Sequence, residues 1–137
     1  MWVVFAFLSA LFAGLTTILA KCGIRRTDST VATAVRTGVV LITAFIMTLI
    51  VGSTSGITEI SGRSWLFLVL SGLATGASWL CYYKAIQIGD VSKVVPIDKL
   101  SVVFTLVLAF IFLHEEFNAK SVIGCILIAA GTLFMVL

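Results

Sequence analysis

The sequence predicts an all-α integral membrane protein, a five-helix transmembrane bundle. Three observations predict it. Of 137 residues, 61% are hydrophobic and 11% are charged, whereas a soluble domain carries about 25% charged residues. So few charges cannot cover the surface of a soluble fold. The mean hydropathy is +1.22. The apolar residues gather into five runs, at 2–20, 31–51, 65–87, 94–113 and 121–137. Each is near the ~20 helical residues needed to cross a bilayer core. The connections are short, so residues 1–137 read as one transmembrane domain in contact with lipid.

The first run starts at Trp2 with no basic residue before it, and the basic residues Lys21, Arg25 and Arg26 follow it. That is not the layout of a signal peptide. Thr27, Asp28, Ser29 and Thr30 offer N-caps for the second helix. The stretch 52–64 is rich in Gly, Ser and Thr and reads as the longest loop. Gly89 is placed to end the third helix in a left-handed cap. Ser92 could cap the fourth, which would put Pro96, the only proline, in the first turn or just beyond. A missing N–H costs little there; deeper in, it kinks the helix. Asn118 offers an N-cap for the fifth. Gly72 with Gly76, Ala10 with Gly14, and Gly124 with Gly131 form small-residue faces suited to close helix approach, within the bundle or against another subunit.

Orientation follows from Lys and Arg. Lys21, Arg25, Arg26, Arg36, Lys84, Lys93 and Lys99 fall at one set of helix ends, and Arg63 and Lys120 at the other. The positive-inside rule places the larger set in the cytoplasm, with the N-terminus outside and the C-terminus inside.

The costliest residues are Asp98 and Lys99, about one turn inside the fourth run. Near a helix centre each charge disfavours insertion by roughly 2.5–3.5 kcal/mol, and each Leu, Ile, Phe or Val favours it by about 0.3–0.6 kcal/mol. Two central charges would cancel the run that follows, so this end of the helix should seek partners. Ionisable groups in membrane segments mark function. Asp98, Ser101 and Thr105 fall on one helical face. Trp79 and Tyr82 share a face with Thr75. Thr16, Thr17 and Lys21 on the first helix, and Thr33, Arg36 and Thr37 on the second, extend the polar set. These stripes either line a polar cavity or bond between helices. Lys21 and Lys84 read as snorkelling to lipid heads. Arg36 lies deeper and is the natural partner for Asp98 or for an anionic substrate group.

No catalytic constellation appears, so the chain does not read as an enzyme. Cys22, Cys81 and Cys125 are scattered, and with one histidine they make no metal-ligand set. No cofactor fingerprint is present. The net charge of +3 rests on too few groups for nucleic acid binding.

The segment GLATGASWLCYYKAIQIGDVSKVVPIDKLSVVFTLVLAFIFLHEE, followed by SVIGCILIAAGTLFMVL, resembles the EamA domain of the drug/metabolite transporter superfamily. The resemblance covers all five helices and is most specific from Leu70 to Gly131. Glu115 matches the family's acidic residue after helix four, and His114 stands where glycine is commoner. The resemblance implies half of a ten-helix transporter, completed by a second copy or a related subunit, in a bacterial or archaeal plasma membrane. It implies a subunit that moves a small polar or amphipathic metabolite by alternating access. Asp98 would be the coupling group, Arg36 and Lys99 its partners or the substrate's, and Trp79 and Tyr82 would shape the pocket beside Ser101 and Thr105. A non-transporting accessory protein that binds a partner through its glycine and alanine faces is the alternative.

Overall fold

A computed structural model describes residues 1–114, 116 and 118–137. Glu115 lies outside the described residues. The fold is all-α. It contains five stretches long and apolar enough to cross a membrane, Trp2–Ile24, Ser29–Val51, Gly62–Ile88, Val91–Leu113 and Ala119–Val136. The chain forms two compact units, Met1–Gln87 and Ile88–Leu137.

The first unit holds helices α1 (Trp2–Ile24), α2 (Ser29–Val51) and α3 (Gly62–Ile88). The carboxylate of Asp28 caps α2, accepting from the backbone N–H of Thr30 at 2.8 Å and of Val31 at 3.4 Å. Gly52 ends α2 with φ +74°. Its N–H reaches the carbonyl of Leu49 and that of Ser53 reaches Thr48, a Schellman arrangement that needs a residue free to adopt the left-handed conformation. The following loop contains a short 3₁₀ turn at Thr54–Ile57. Ser61 then caps α3 through Ser64 N at 3.3 Å. This cap starts α3 at Gly62, three residues before the apolar run itself.

Packing in this unit is confined to one end. Residues 2–15 of α1 and 62–75 of α3 are exposed throughout. Ile24, Tyr83 and Ile86 are buried, as are Thr17, Ser29 and Thr33. The Nζ of Lys21 donates to the carbonyl of Ile86. That carbonyl is in the last turn of α3, where backbone acceptors lack helical partners and cations are favoured. Lys21 therefore turns inward, which replaces the snorkelling expected of it and carries α1 on to Ile24. Gln87 Nε2 donates to the Thr27 carbonyl at 2.9 Å. These two bonds bring the α1–α2 turn and the end of α3 to the same side.

The second unit holds α4 (Val91–Asp98), α5 (Ser101–Leu113) and α6 (Ala119–Val136). The expected start of the fourth helix is corrected here. α4 begins one residue before Ser92, with Asp90 rather than Ser92 at the N-cap position, so Pro96 is its sixth residue, beyond the first turn and inside the helix. The fourth span is then two helices, interrupted at Lys99 and Leu100. His114 ends α5 in the left-handed region, at φ 53°. Asn118 caps α6 as expected, accepting from Lys120 N at 3.2 Å.

A Cβ added at Gly14, Gly72, Gly76, Gly124 or Gly131 would meet nothing within 4 Å. The close approach expected at these glycines does not occur within either unit.

Candidate functional site

The hydroxyl stripes resolve mostly within their own helices. Thr33, Thr37, Thr43, Thr48 and Thr75 each donate to the carbonyl four residues back, a bond that satisfies a hydroxyl without a neighbour. Thr17 and Thr132 are different, because each reaches another helix. The Oγ1 of Thr17 donates to the Ala13 carbonyl at 3.1 Å. Its single hydrogen is then used, so at the 2.8 Å contact with Tyr82 the phenol donates. Tyr82 is fixed against α1 and meets the ring of Tyr83 edge-on at 5.7 Å.

Arg36 projects from α2 into the aromatic face of α3. Its Cζ lies 4.7 Å from the centroid of Trp79 and 5.2 Å from that of Tyr83, both within cation–π range. Trp79 and Tyr83 are one helical turn apart, so one guanidinium can meet both. Its Nη1 is buried without a hydrogen-bond partner among the described residues. A buried guanidinium N–H left unpaired is costly. Arg36 and Tyr83 also line a cavity of about 570 Å³ with Thr16, Leu19, Ile24 and Val35. The cavity is largely apolar and sits at the packed end of the unit, beside the α1–α2 turn. Tyr83 was not among the residues singled out from sequence. Its signal was there in the four-residue spacing from Trp79, which the choice of Tyr82 passed over.

In the second unit, Asp98 and Lys99 stand at the junction of α4 and α5. Their side chains pair at 3.8 Å, with Lys99 56% and Asp98 40% exposed. The distance and the exposure make this a loose pair, open to exchange. Ser101 and Thr105 are exposed, and the half-buried residues of α5 are Val103, Leu106 and Ala109. Among the described residues no three His, Cys, Asp or Glu side chains gather into a possible metal site.

The model of the EamA-like transporter family matches residues 1–137. The chain belongs to that family. A relative from Sinorhizobium sp., described as an uncharacterized transporter in the cobO 3′ region, is 45% identical over 134 residues, which are 98% of this chain and 95% of the relative. No solved structure matches. Membership agrees with the five spans, which are consistent with half of the family's ten-helix fold. It also agrees with a multi-pass membrane protein. Two charged features of the EamA chain thus fall within its apolar spans, the Arg36 cavity in the first unit and the Asp98–Lys99 pair at a helix junction in the second.

Proposed function

We propose that this EamA chain, a single transmembrane domain over 1–137, is a transporter subunit that moves a small polar or amphipathic metabolite by alternating access. The observation that carries the reading is Arg36, held between Trp79 and Tyr83 at a largely apolar cavity with one buried N–H unpartnered. Such a cavity, mostly apolar with a few placed polar groups, suits a small molecule. Arg36 engages the substrate from a pocket lined by Tyr83, and Trp79 and Tyr82 shape it from behind, Trp79 through Arg36 and Tyr82 through Thr17 and Tyr83. Asp98 is the coupling group, exchanging its pairing with Lys99 for a proton or for substrate charge, with Ser101 and Thr105 along the same path. In a family of paired repeats the site forms where two repeats meet, so the working unit is a dimer of this chain or of this chain with a related subunit.

Purified protein in sealed proteoliposomes, assayed for uptake over a panel of metabolites at several external pH values, tests this reading. The expected result is saturable uptake that depends on the pH gradient. Asp98→Asn should reach the membrane at normal levels and lose at least tenfold in gradient-driven uptake. Uptake by Asp98→Asn equal to the parent across the pH range would remove Asp98 from the mechanism. Absence of uptake for every compound, with a stable partner protein recovered instead, would favour the accessory role.

A further inference from the structure

We infer that the Arg36 cavity selects a monoanionic amphipathic compound, a single carboxylate on a small apolar body, and rejects organic cations. The inference rests on the transporter reading for its biological use but not for its chemistry.

Aromatic boxes generally serve to hold ligand cations. Here the box is already filled. The guanidinium of Arg36 lies 4.7 Å from the Trp79 centroid and 5.2 Å from that of Tyr83. A second cation would meet like charge in a low-dielectric setting. The same geometry orders the guanidinium. Contact with two rings restrains the guanidinium, and a restrained guanidinium presents paired N–H donors to a carboxylate at less entropic cost. Nη1 remains buried and without a hydrogen-bond partner among the described residues. An incoming oxygen could satisfy it with a small side-chain adjustment.

Charge count limits the anion. Arg36 is the cation lining this cavity. Lys21, on the neighbouring helix, is committed to the Ile86 carbonyl, and Lys84 is exposed beside Gln87. One fixed positive charge compensates one negative charge. A dianion would leave the second charge unpaired against Leu19, Ile24 and Val35, and an uncompensated charge there is expensive. Those same side chains favour an apolar body attached to the carboxylate. A lipid offers comparable chemistry, an anionic head on an apolar body, so the test separates the two sources.

The probe is Trp79 itself. Trp2 and Trp65 are exposed, and replacing both by Phe leaves Trp79 as the one tryptophan. This protein in nanodiscs of phosphatidylcholine alone is titrated with isovalerate, isovaleramide, isoamylammonium and isobutylmalonate. The expected result is a saturable change in Trp79 emission with isovalerate. The neutral amide, the ammonium and the dianion should each bind at least tenfold more weakly. Arg36→Gln should weaken isovalerate binding at least tenfold. Binding of the amide as tight as the carboxylate, or tighter binding of the ammonium, would overturn the inference. So would a Trp79 response that appears only when phosphatidylglycerol is added to the disc, which assigns the anion to a lipid. If Arg36→Gln does not fold, the ligand comparison on the unaltered site decides alone. Carboxylate binding without uptake in proteoliposomes would sink the transporter reading and leave this inference standing. Uptake of a cation without carboxylate binding would do the reverse.

Discussion

Asp28 lies outside the membrane-spanning segments, at the entry to α2. Two backbone N–H groups, from Thr30 first and then Val31, hold its carboxyl below the ordinary value of 3.8, with the charge of Lys84 adding a smaller pull. A carboxylate at a helix N-terminus also meets the positive end of the dipole. Because the folded value is depressed, the cap contributes fully above pH 3.8, fades as pH falls through the lower folded value and is absent below both. Asp28→Ala should therefore lower thermal stability in detergent at neutral pH, and the gap between parent and variant should close in strong acid. A gap independent of pH would show that the carboxylate charge is not what stabilises this turn. His114 presents a different cost. Its φ of 53° forces a side chain into the left-handed region, where Cβ crowds the following carbonyl. Glycine adopts that conformation freely, which is why glycine suits this position. His114→Gly should raise stability by about 0.5–1 kcal/mol, read as a higher melting temperature in detergent. A lower one would mean that the imidazole makes a compensating contact.

At the scale of helices, the decisive contact is between α4 and α6. In an uninterrupted helix the carbonyl of Pro96 would accept the N–H of Leu100. Here Leu100 N turns to the Ile97 carbonyl at 3.0 Å, while Pro96 O accepts from Lys99 N at 3.1 Å and from the hydroxyl of Thr132 at 3.0 Å. Val102 and Val103 also bond three residues back, and the α pattern resumes at Phe104. A proline alone removes an N–H and opens the turn before it. The interruption lies after Pro96, where the hydroxyl of a neighbouring helix has taken the carbonyl. Membrane helices tolerate breaks when neighbours satisfy the freed groups in this way. Thr132→Val should cost roughly 0.6–1.7 kcal/mol, the range for such bonds in membranes. It should also slow amide exchange at Leu100 as that N–H returns to Pro96 O. Pro96→Ala in the presence of Thr132 should leave exchange at Leu100 fast. The reverse pattern would assign the break to the proline. The break places Asp98 and Lys99 at a junction between two helices instead of inside one, which is where the proposed coupling role would need them.

For the molecule as a whole, the charge bias makes a direct prediction about orientation. Seven Lys and Arg residues against two should insert every copy the same way. Thr27 and Ser55 lie beyond opposite ends of α2 and are both exposed. In a background without Cys22, Cys81 and Cys125, Ser55→Cys should label from outside the cell and Thr27→Cys only from inside. Equal labelling of each from both sides would show dual orientation and an antiparallel pair.

The sequence by itself determined the class and number of spans, because apolar runs of bilayer length declare themselves one segment at a time. It also determined the caps at Asp28 and Asn118, which depend on neighbours only two or three residues away. Tertiary structure decided the rest. Whether Lys21 reaches for lipid or for the end of α3, which rings Arg36 meets, and where the fourth span breaks all depend on groups up to 65 residues distant. Periodicity shows which residues share a face. It does not show which helix stands opposite that face, and for a buried charge in an apolar medium the identity of that neighbour sets the energy.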